Sequence, residues 1–337
     1  MKQLICLQPG SFEYRNADAP MASPGHSIIK VKKIGICGTD IHAFEGTQPY
    51  FTYPRVLGHE LACEFVEGDG ADDFKKGEDI TIIPYLHCGT CVACRQGKTN
   101  CCQQMRVIGV HVDGGMTEYL SVPSSILIKS QGLPADTLAL IEPLAVSSHG
   151  ITRAGIKKGD FVMIFGAGPI GLGAMAFAMV ASAQVIAVDI NESRLRFCKN
   201  ILKVPFTLNG RDPNLLEHVR EITSGDLPST VIDATGNLPS INGGFQFMAH
   251  GGKYVLIGLQ KESISFSHPD FHKKESTLMS SRNATRGDFE FVLGCIGKGL
   301  LDPTIFITNR VAFGDVKKVF LELVRGGEVI KAMIEMG

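Results

Sequence analysis

Apolar positions along the chain fall into short runs of two kinds. Up to about residue 148 the runs SIIKVKKIGIC, LACEFVEG, DITIIP and MTEYLSVP are separated by Gly, Pro and Asp clusters, which predicts a compact β-rich domain. Past Gly150 the rhythm changes. FVMIFG (161–166) reads as a fully buried strand, 169–183 as a helix with small residues on its surface, and QVIAVD (184–189) as a second buried strand. NESRLRFCKNIL (191–202) reads as a helix capped by Asn191. Further apolar strands follow at STVIDAT (229–235), KYVLIG (253–258) and STLMSS (276–281). Buried strands alternating with helical stretches predict a parallel, doubly wound sheet, hence an α/β fold. From Thr285 a helix over 289–296, a short strand in FITNRVAF and a last helix before EVIKAMIEM form a tail too short for a domain of its own. The tail is expected to return to the first domain. The expected division is therefore 1–148, an inserted 149–282, and 283–337.

Composition adjusts this picture at four points. Of 337 residues, 33 are Lys or Arg and 34 are Asp or Glu, with no basic stretch, which argues against nucleic acid or an anionic membrane as the main partner. The segment Phe161 to Gln184 has no formal charge, yet Gly166, Gly168, Pro169, Gly171 and Gly173 break it, unlike one continuous membrane span. The start MKQLICLQPG lacks a signal-peptide core, so a soluble, cytoplasmic protein is expected. Ten cysteines in such a setting argue against a disulfide framework, and five of them lie between Cys88 and Cys102, a clustering that points to metal.

Gly166-Ala-Gly168-Pro169-Ile170-Gly171 fits G-x-G-x-x-G, directly after a buried strand and at the opening of a helix. One glycine makes the tight turn, one lets a pyrophosphate approach the backbone, and the third lets helix and strand pack closely. Asp189 ends the next strand, 18 residues beyond Gly171, where it would accept the adenosine ribose hydroxyls. A 2′-phosphate would meet a like charge there, so NAD is favoured over NADP. Arg194, one turn into the next helix, either stacks on the adenine or is a solvated helix arginine.

Cys88-x-x-Cys91-x-x-Cys94, followed by Cys102 in a polar loop of about 86–104, supplies four thiolates to a tetrahedral zinc ion with no position left open, a structural site. By spacing alone the adjacent Cys101 could replace Cys102. No helix is expected after the C-x-x-C, which argues against a redox loop. A different donor set occurs in GICGTDIH (35–42) and GHE (58–60). Cys37, His59 and Glu60 offer thiolate, imidazole and carboxylate, a mixed set suited to zinc with a position kept free for substrate. Asp40 is placed to accept the other ring proton of His59. Singly, these residues also read as a buried thiol, a core histidine and a surface carboxylate.

In this order the C-G-T-D, the G-H-E, the four-cysteine lobe and the glycine fingerprint resemble the zinc-dependent medium-chain dehydrogenases, in their polyol and threonine dehydrogenase branch. The resemblance covers essentially the whole chain. It implies a GroES-like catalytic domain, a Rossmann domain, two zinc ions per chain and NAD. It also implies Cys37, His59 and Glu60 as catalytic-zinc ligands, with Glu142 of IEPLAVSSH as an exchangeable fourth where classical alcohol dehydrogenases have a cysteine. By the same likeness Thr39 takes the substrate's hydroxyl proton and passes it through the cofactor ribose to His42 and solvent, His42 otherwise reading as a surface histidine. Arg282 stands beside the substrate, or else in an interdomain salt bridge, and Ile257, Gly258 and Ser281 lie near the nicotinamide. Phe44, Tyr50 and Phe51 either wall the pocket or belong to the core, His111 is open in the same way, and His149 packs near the cofactor.

The segments GICGTDIHAFEGTQPYFTYPRVLGHE, GVHVDGG and FHKKESTLMSSRNAT further resemble bacterial dehydrogenases of the L-galactonate (L-gulonate type) 5-dehydrogenase group, which oxidise a secondary alcohol of a sugar acid. The expected partner is a small polyhydroxy molecule, and the expected assembly a homo-oligomer, dimer or tetramer. A neutral polyol or threonine as substrate, or a silent NAD-binding scaffold keeping only the structural zinc, are the competing readings.

Overall fold

The computed structural model describes residues 1–48, 51–69, 73–325 and 327–337. Tyr50 lies outside the described residues. The chain divides into two compact units, Met1–Glu142 with Ala284–Gly337, and Pro143–Asn283. The divide falls six residues before the expected one, inside a helix, Ile141–Ala154, that the β-rich reading of the first 148 residues did not contain. The return of the C-terminal tail to the first unit follows from pairing of its last strand, Lys331–Glu335, with His26–Gly35.

In the first unit the main sheet runs in the order Leu127–Lys129, Asp79–Ile82, Glu60–Gly68, His26–Gly35, Lys331–Glu335, Ile307–Ala312, with Tyr119–Pro123 also pairing on His26–Gly35. A three-stranded sheet joins Ser11–Asn16, Lys2–Gln8 and Arg55–Val56. Alternation of buried and partly exposed positions, as in Lys2–Gln8, puts one face of each strand into the core. Phe44 is buried in that core, stacked on Phe12 at 4.8 Å and tilted on Phe320 at 5.1 Å, so it is a packing residue and not a pocket wall. Phe51 is half-buried against Tyr53, with ring centroids 4.8 Å apart.

The second unit carries the expected parallel sheet, and it has six strands, Phe206–Asn209 adding to the five read from the sequence. Phe161–Phe165 is central, flanked on one side by Gln184–Asp189 and Phe206–Asn209, and on the other by Thr230–Asp233, Lys253–Leu256 and Thr277–Ser280. Numbered along the chain, the order is 3-2-1-4-5-6, the Rossmann arrangement. Runs such as Val162–Ile164 are wholly buried because both faces of the sheet are covered, which is why they read as continuous apolar stretches. Helix Glu192–Asn200 starts where expected, its Asn191 side chain accepting the Ser193 and Arg194 amides, a cap of about 1 kcal/mol. Among the described residues no helix is long and apolar enough to cross a membrane.

A charge cluster ties the C-terminal strands to a short helix, Ala135–Leu138, in the first unit. Arg310 donates to both Asp136 oxygens at 3.0 and 2.6 Å and to Glu335 at 2.9 Å, and Lys33 reaches Asp136 at 2.6 Å. The Arg310 hydrogen bonds, with Lys33, outweigh partial burial and hold the Asp136 carboxyl down at about 2, against the usual 3.8. A carboxyl lowered on folding adds stability above its unfolded value and loses it as pH falls toward the folded one. Asp136→Asn is therefore expected to cost about 1 kcal/mol of unfolding free energy at neutral pH, allowing for solvent screening. The deficit should shrink between pH 4 and pH 2. Urea titrations across that range check this; an equal deficit throughout would place the effect in shape and not in charge.

Candidate metal centres and cofactor cradle

Four thiols converge in the lobe of the first unit. The lobe hangs from a two-stranded ladder, Tyr85–Leu86 with Arg106–Val107. Sulfur atoms of Cys88, Cys91, Cys94 and Cys102 all lie within 4.8 Å of one another, with Cys88–Cys102 and Cys91–Cys94 at 3.5 Å. Cys101 is exposed and stands outside this group, so folding resolves what spacing left open. The backbone amides of Cys91 and Gln104 donate to Cys88 and Cys102, each at 3.3 Å. Hydrogen bonds led by Thr90 draw the Cys88 thiol down to about 5, a pull toward the thiolate a metal requires. Contrary to expectation a one-turn helix, Val92–Arg95, does follow Cys91. All ten cysteines are free thiols, and the four that converge could hold a metal ion.

The second group is built by two turns that a single carboxylate joins. Cys37 caps helix Gly38–Glu45, with Asp40 at the third position of a capping box. Asp40 is fully buried, accepts the Cys37 amide at 2.9 Å and reaches across to the Gly58 amide at 3.2 Å. Gly58 has φ 94°, a left-handed conformation that brings His59 round to face Cys37, and a Cβ on the neighbouring Gly114 would strike the Gly58 carbonyl at 2.4 Å. One donor atom from each of Cys37, His59 and Glu60 then lies within 4.8 Å of the others.

Asp40 does not make the expected hydrogen bond to His59. The imidazole Nδ1 faces it at 3.8 Å, is buried, and has no hydrogen-bond partner, while the Asp40 oxygens serve the backbone. Burial opposes charge on His59, but the Cys37 thiolate and the Asp40 carboxylate outweigh it and hold the imidazole well above its usual value. A site that draws a proton this strongly, through thiolate, imidazole and carboxylate donors, fits a zinc ion in its place.

Glu142 is buried beside this group without being one of its three converging donors. It is near enough for the charges of His59 and Glu60 to act on it, burial raises its carboxyl, and the Tyr85 hydroxyl donates to its Oε1. Glu60 is held differently. Lys331, only 2 % exposed, donates to both Glu60 oxygens at 2.6 Å and to the Ile36 carbonyl at 3.0 Å. Tyr85 and Lys331 escaped the sequence reading. The trace of Lys331 was there: one cation inside the apolar run EVIKAMIEM. Thr39 is half-buried on the same helix as His42, which is exposed and 3.1 Å from the Thr47 hydroxyl. His111 Nδ1 accepts the Val107 amide at 3.0 Å, a contact of the loop's own backbone.

In the second unit the three glycines of the loop have different surroundings. Gly166 turns the chain at φ 95°. A Cβ on Gly168 would meet nothing nearer than an Arg194 nitrogen at 3.9 Å, so the loop stays open there, whereas one on Gly171 would lie 1.7 Å from the Gly166 carbonyl oxygen. Pro169 and Ile170 open helix Pro169–Val180, and Ser147 fastens its first turn by donating to the Ile170 carbonyl at 2.9 Å. Asp189 accepts the Ala167 amide at 2.6 Å and the Asn191 amide at 2.8 Å, which sets its carboxylate beside the glycine loop. Ile257 and Gly258 both donate their amides to the Asp233 carbonyl, and a Cβ on Gly150 would meet Ile257 at 2.4 Å and the Ser281 hydroxyl at 3.7 Å. Two buried polar atoms bordering this surface, Arg194 Nε and Ser281 Oγ, have no protein partner, which fits a polar ligand resting on the cradle. His149 is half-buried on helix Ile141–Ala154, and Arg282 is exposed just beyond strand Thr277–Ser280.

Comparison with known proteins agrees with both halves. Residues 23–134 match the alcohol dehydrogenase GroES-like domain, and residues 169–297 match the zinc-binding dehydrogenase domain. The chain is 42% identical over 336 residues to the L-galactonate-5-dehydrogenase of Escherichia coli K12, covering 99% of this chain and 98% of that one. It is 30% identical to the sorbitol dehydrogenase of Halalkalibacterium halodurans, over 99% of each chain. Among solved structures, an Escherichia coli CFT073 alcohol dehydrogenase complexed with NADH superposes with a TM-score of 0.93 at 28% identity, over 99% of both chains. A zinc-binding dehydrogenase from Sinorhizobium meliloti bound to NADP superposes at 0.90 and 28% identity, over 99% and 98% of the chains. The protein thus belongs to the zinc-binding medium-chain alcohol dehydrogenases, oxidoreductases that act on a CH–OH group and combine a GroES-like domain with a Rossmann domain.

Proposed function

We propose that this enzyme oxidises a secondary alcohol of a sugar acid, of L-galactonate or L-gulonate type, to the ketone with NAD+. The observation that carries the reading is the mixed donor set Cys37, His59 and Glu60, which leaves a coordination position for substrate, in a chain 42% identical to an L-galactonate-5-dehydrogenase. Cys88, Cys91, Cys94 and Cys102 are the proposed closed, structural site. Cys37, His59 and Glu60, with Glu142 as exchangeable fourth donor, would hold a zinc ion, which would supply a Lewis acid that lowers the pKa of an alcohol, and bound NAD+ would supply the hydride acceptor.

The chain's own residues bind, orient and move the proton. Thr39 and His42 are three apart on helix Gly38–Glu45 and so share a face. Thr39 would relay the hydroxyl proton, giving up its own as it accepts the alcohol's, by way of the cofactor ribose to His42, whose side chain, 60% exposed, can exchange it with solvent. Gly166, Gly168, Pro169, Ile170 and Gly171 cradle the pyrophosphate at a helix N-terminus. Asp189 reads the ribose hydroxyls and repels a 2′-phosphate, Arg194 covers the adenine, and Ile257, Gly258 and Ser281 flank the nicotinamide. Arg282 is the proposed partner of a substrate carboxylate, which a guanidinium can hold bidentately. The same reading makes the protein a cytoplasmic homo-oligomer, dimer or tetramer, acting on a small polyhydroxy molecule. A neutral polyol is the second reading, favoured by the 30% identity to a sorbitol dehydrogenase.

Three measurements test this. With NAD+, a panel of sugar acids and matching polyols should give NADH from the acids; turnover of polyols alone would overturn the sugar-acid assignment in favour of the second reading. Cys37→Ser should lower the zinc content from two ions per chain to one and reduce kcat by about 1000-fold, roughly 4 kcal/mol of transition-state stabilisation, with NADH binding by fluorescence unchanged. Two ions retained at full activity would refute the open site. Asp189→Ala should weaken NAD+ about tenfold and relax discrimination against NADP+. An unchanged preference would remove Asp189 from cofactor choice.

A further inference from the structure

The two carboxylates beside Cys37 and His59 have unlike partners. Glu142 receives a neutral hydroxyl, that of Tyr85. Glu60 receives a cation on both oxygens, at 2.6 Å each. Lys331 is not a surface ion pair that happens to lie close: it is 2 % exposed, and its third donor goes to the Ile36 carbonyl at 3.0 Å, so all three ammonium protons have acceptors. Its backbone is fixed as well. Lys331 opens the strand that pairs with His26–Gly35, and the Ile36 amide donates to the adjacent Ala332 carbonyl at 2.9 Å. Gly35 completes the mount, since a Cβ there would lie 2.0 Å from Glu60 Oε2. Three segments distant in sequence thus hold one carboxylate against one ammonium.

We propose that Lys331 is a positioning residue that weakens the grip of Glu60 on the metal, so that Cys37 and His59 hold the ion and the Glu60 ligand stays labile. This rests on reading Cys37, His59 and Glu60 as a metal centre. A carboxylate shared with a cation at 2.6 Å has less charge to offer a second cation, and the ammonium itself repels a divalent ion across a buried, weakly screening medium. Were Lys331 only a prop that keeps Glu60 in ligating position, its loss would free the metal. If it restrains Glu60, its loss leaves a buried carboxylate with the metal as its remaining counter-charge. The two roles give opposite signs.

The test is release of zinc from the fully loaded enzyme to an excess of chromophoric chelator, with the four-cysteine zinc as internal control. Lys331→Met should slow release from the open site by about tenfold. Lys331→Gln, which keeps a hydrogen-bond donor and loses the charge, should slow it likewise, and decides the matter where the methionine variant does not fold. Lys331→Arg should release at the wild-type rate. In a Glu60→Gln background Lys331→Met should no longer slow release. The Co2+-substituted Lys331→Met enzyme should show an altered visible ligand-field spectrum, a signature that a remote structural role would not move. Faster or unchanged release in both neutral variants overturns the proposal while leaving the metal centre standing. If Cys37→Ser still releases two zinc ions per chain, the reading of the centre fails instead.

Discussion

The proposed open metal centre depends on one buried carboxylate. Asp40 closes the capping box of the helix that Cys37 begins, and the same side chain takes the amide of Gly58, next to His59. The thiol and the imidazole are 22 positions apart in the chain, and each sits on a turn that could drift independently. Bonded to both turns, Asp40 sets their spacing. An unpaired buried carboxylate is costly, so the backbone amides and the facing imidazole stabilise Asp40 while Asp40 orders them. The distance of 3.8 Å to His59 fits this division, because the carboxylate's hydrogen bonds are already committed to the turns.

Around that joint the chemistry is graded by donor type. Four thiols of the lobe need only one another and a few amides, and their convergence leaves no vacancy in a tetrahedral set. The mixed set of Cys37, His59 and Glu60 is anchored less by its own members than by what lies behind them. Asp40 stands behind the turns, Lys331 behind Glu60, and Tyr85 behind Glu142. Such partners orient ligands and tune their basicity, so that the reactivity of an open site is set largely outside it. In the second unit, Asp189 plays a comparable part by accepting the Ala167 amide of the glycine loop while keeping its carboxylate beside the cradle.

Where the linear reading failed, it failed for identifiable reasons. Helix Ile141–Ala154 was taken into a β-rich region because its apolar residues cover most of its circumference, as a helix buried on several sides requires, and so lack a clear 3.6-residue alternation. Helix Gly38–Glu45 begins with a glycine behind a cysteine cap, without the Ser, Thr, Asp or Asn that usually marks a helix start. Phe44 could equally have been a pocket wall, and only the stacking of Phe12 and Phe320 on it makes it core. Cys101 and Cys102 are neighbours with equal claims by spacing; the turn Thr99–Cys101 sends one to solvent and the other into the sulfur group.

The sequence by itself determined the order of the motifs, the parallel sheet, the glycine loop with Asp189 at the next strand's end, and the candidate donors of each proposed metal centre, save the choice between Cys101 and Cys102. These are local or periodic properties: a turn that only glycine can make, a strand buried on both faces, a thiol spacing, and each leaves its mark within a few residues. Tertiary structure alone decided that Lys331 meets Glu60 across 271 residues, that Tyr85 meets Glu142 across 57, and that Asp40 serves two turns rather than one ring nitrogen. No periodicity encodes such pairs. A buried charge must find its partner in space, and strand pairing chooses which residue arrives there.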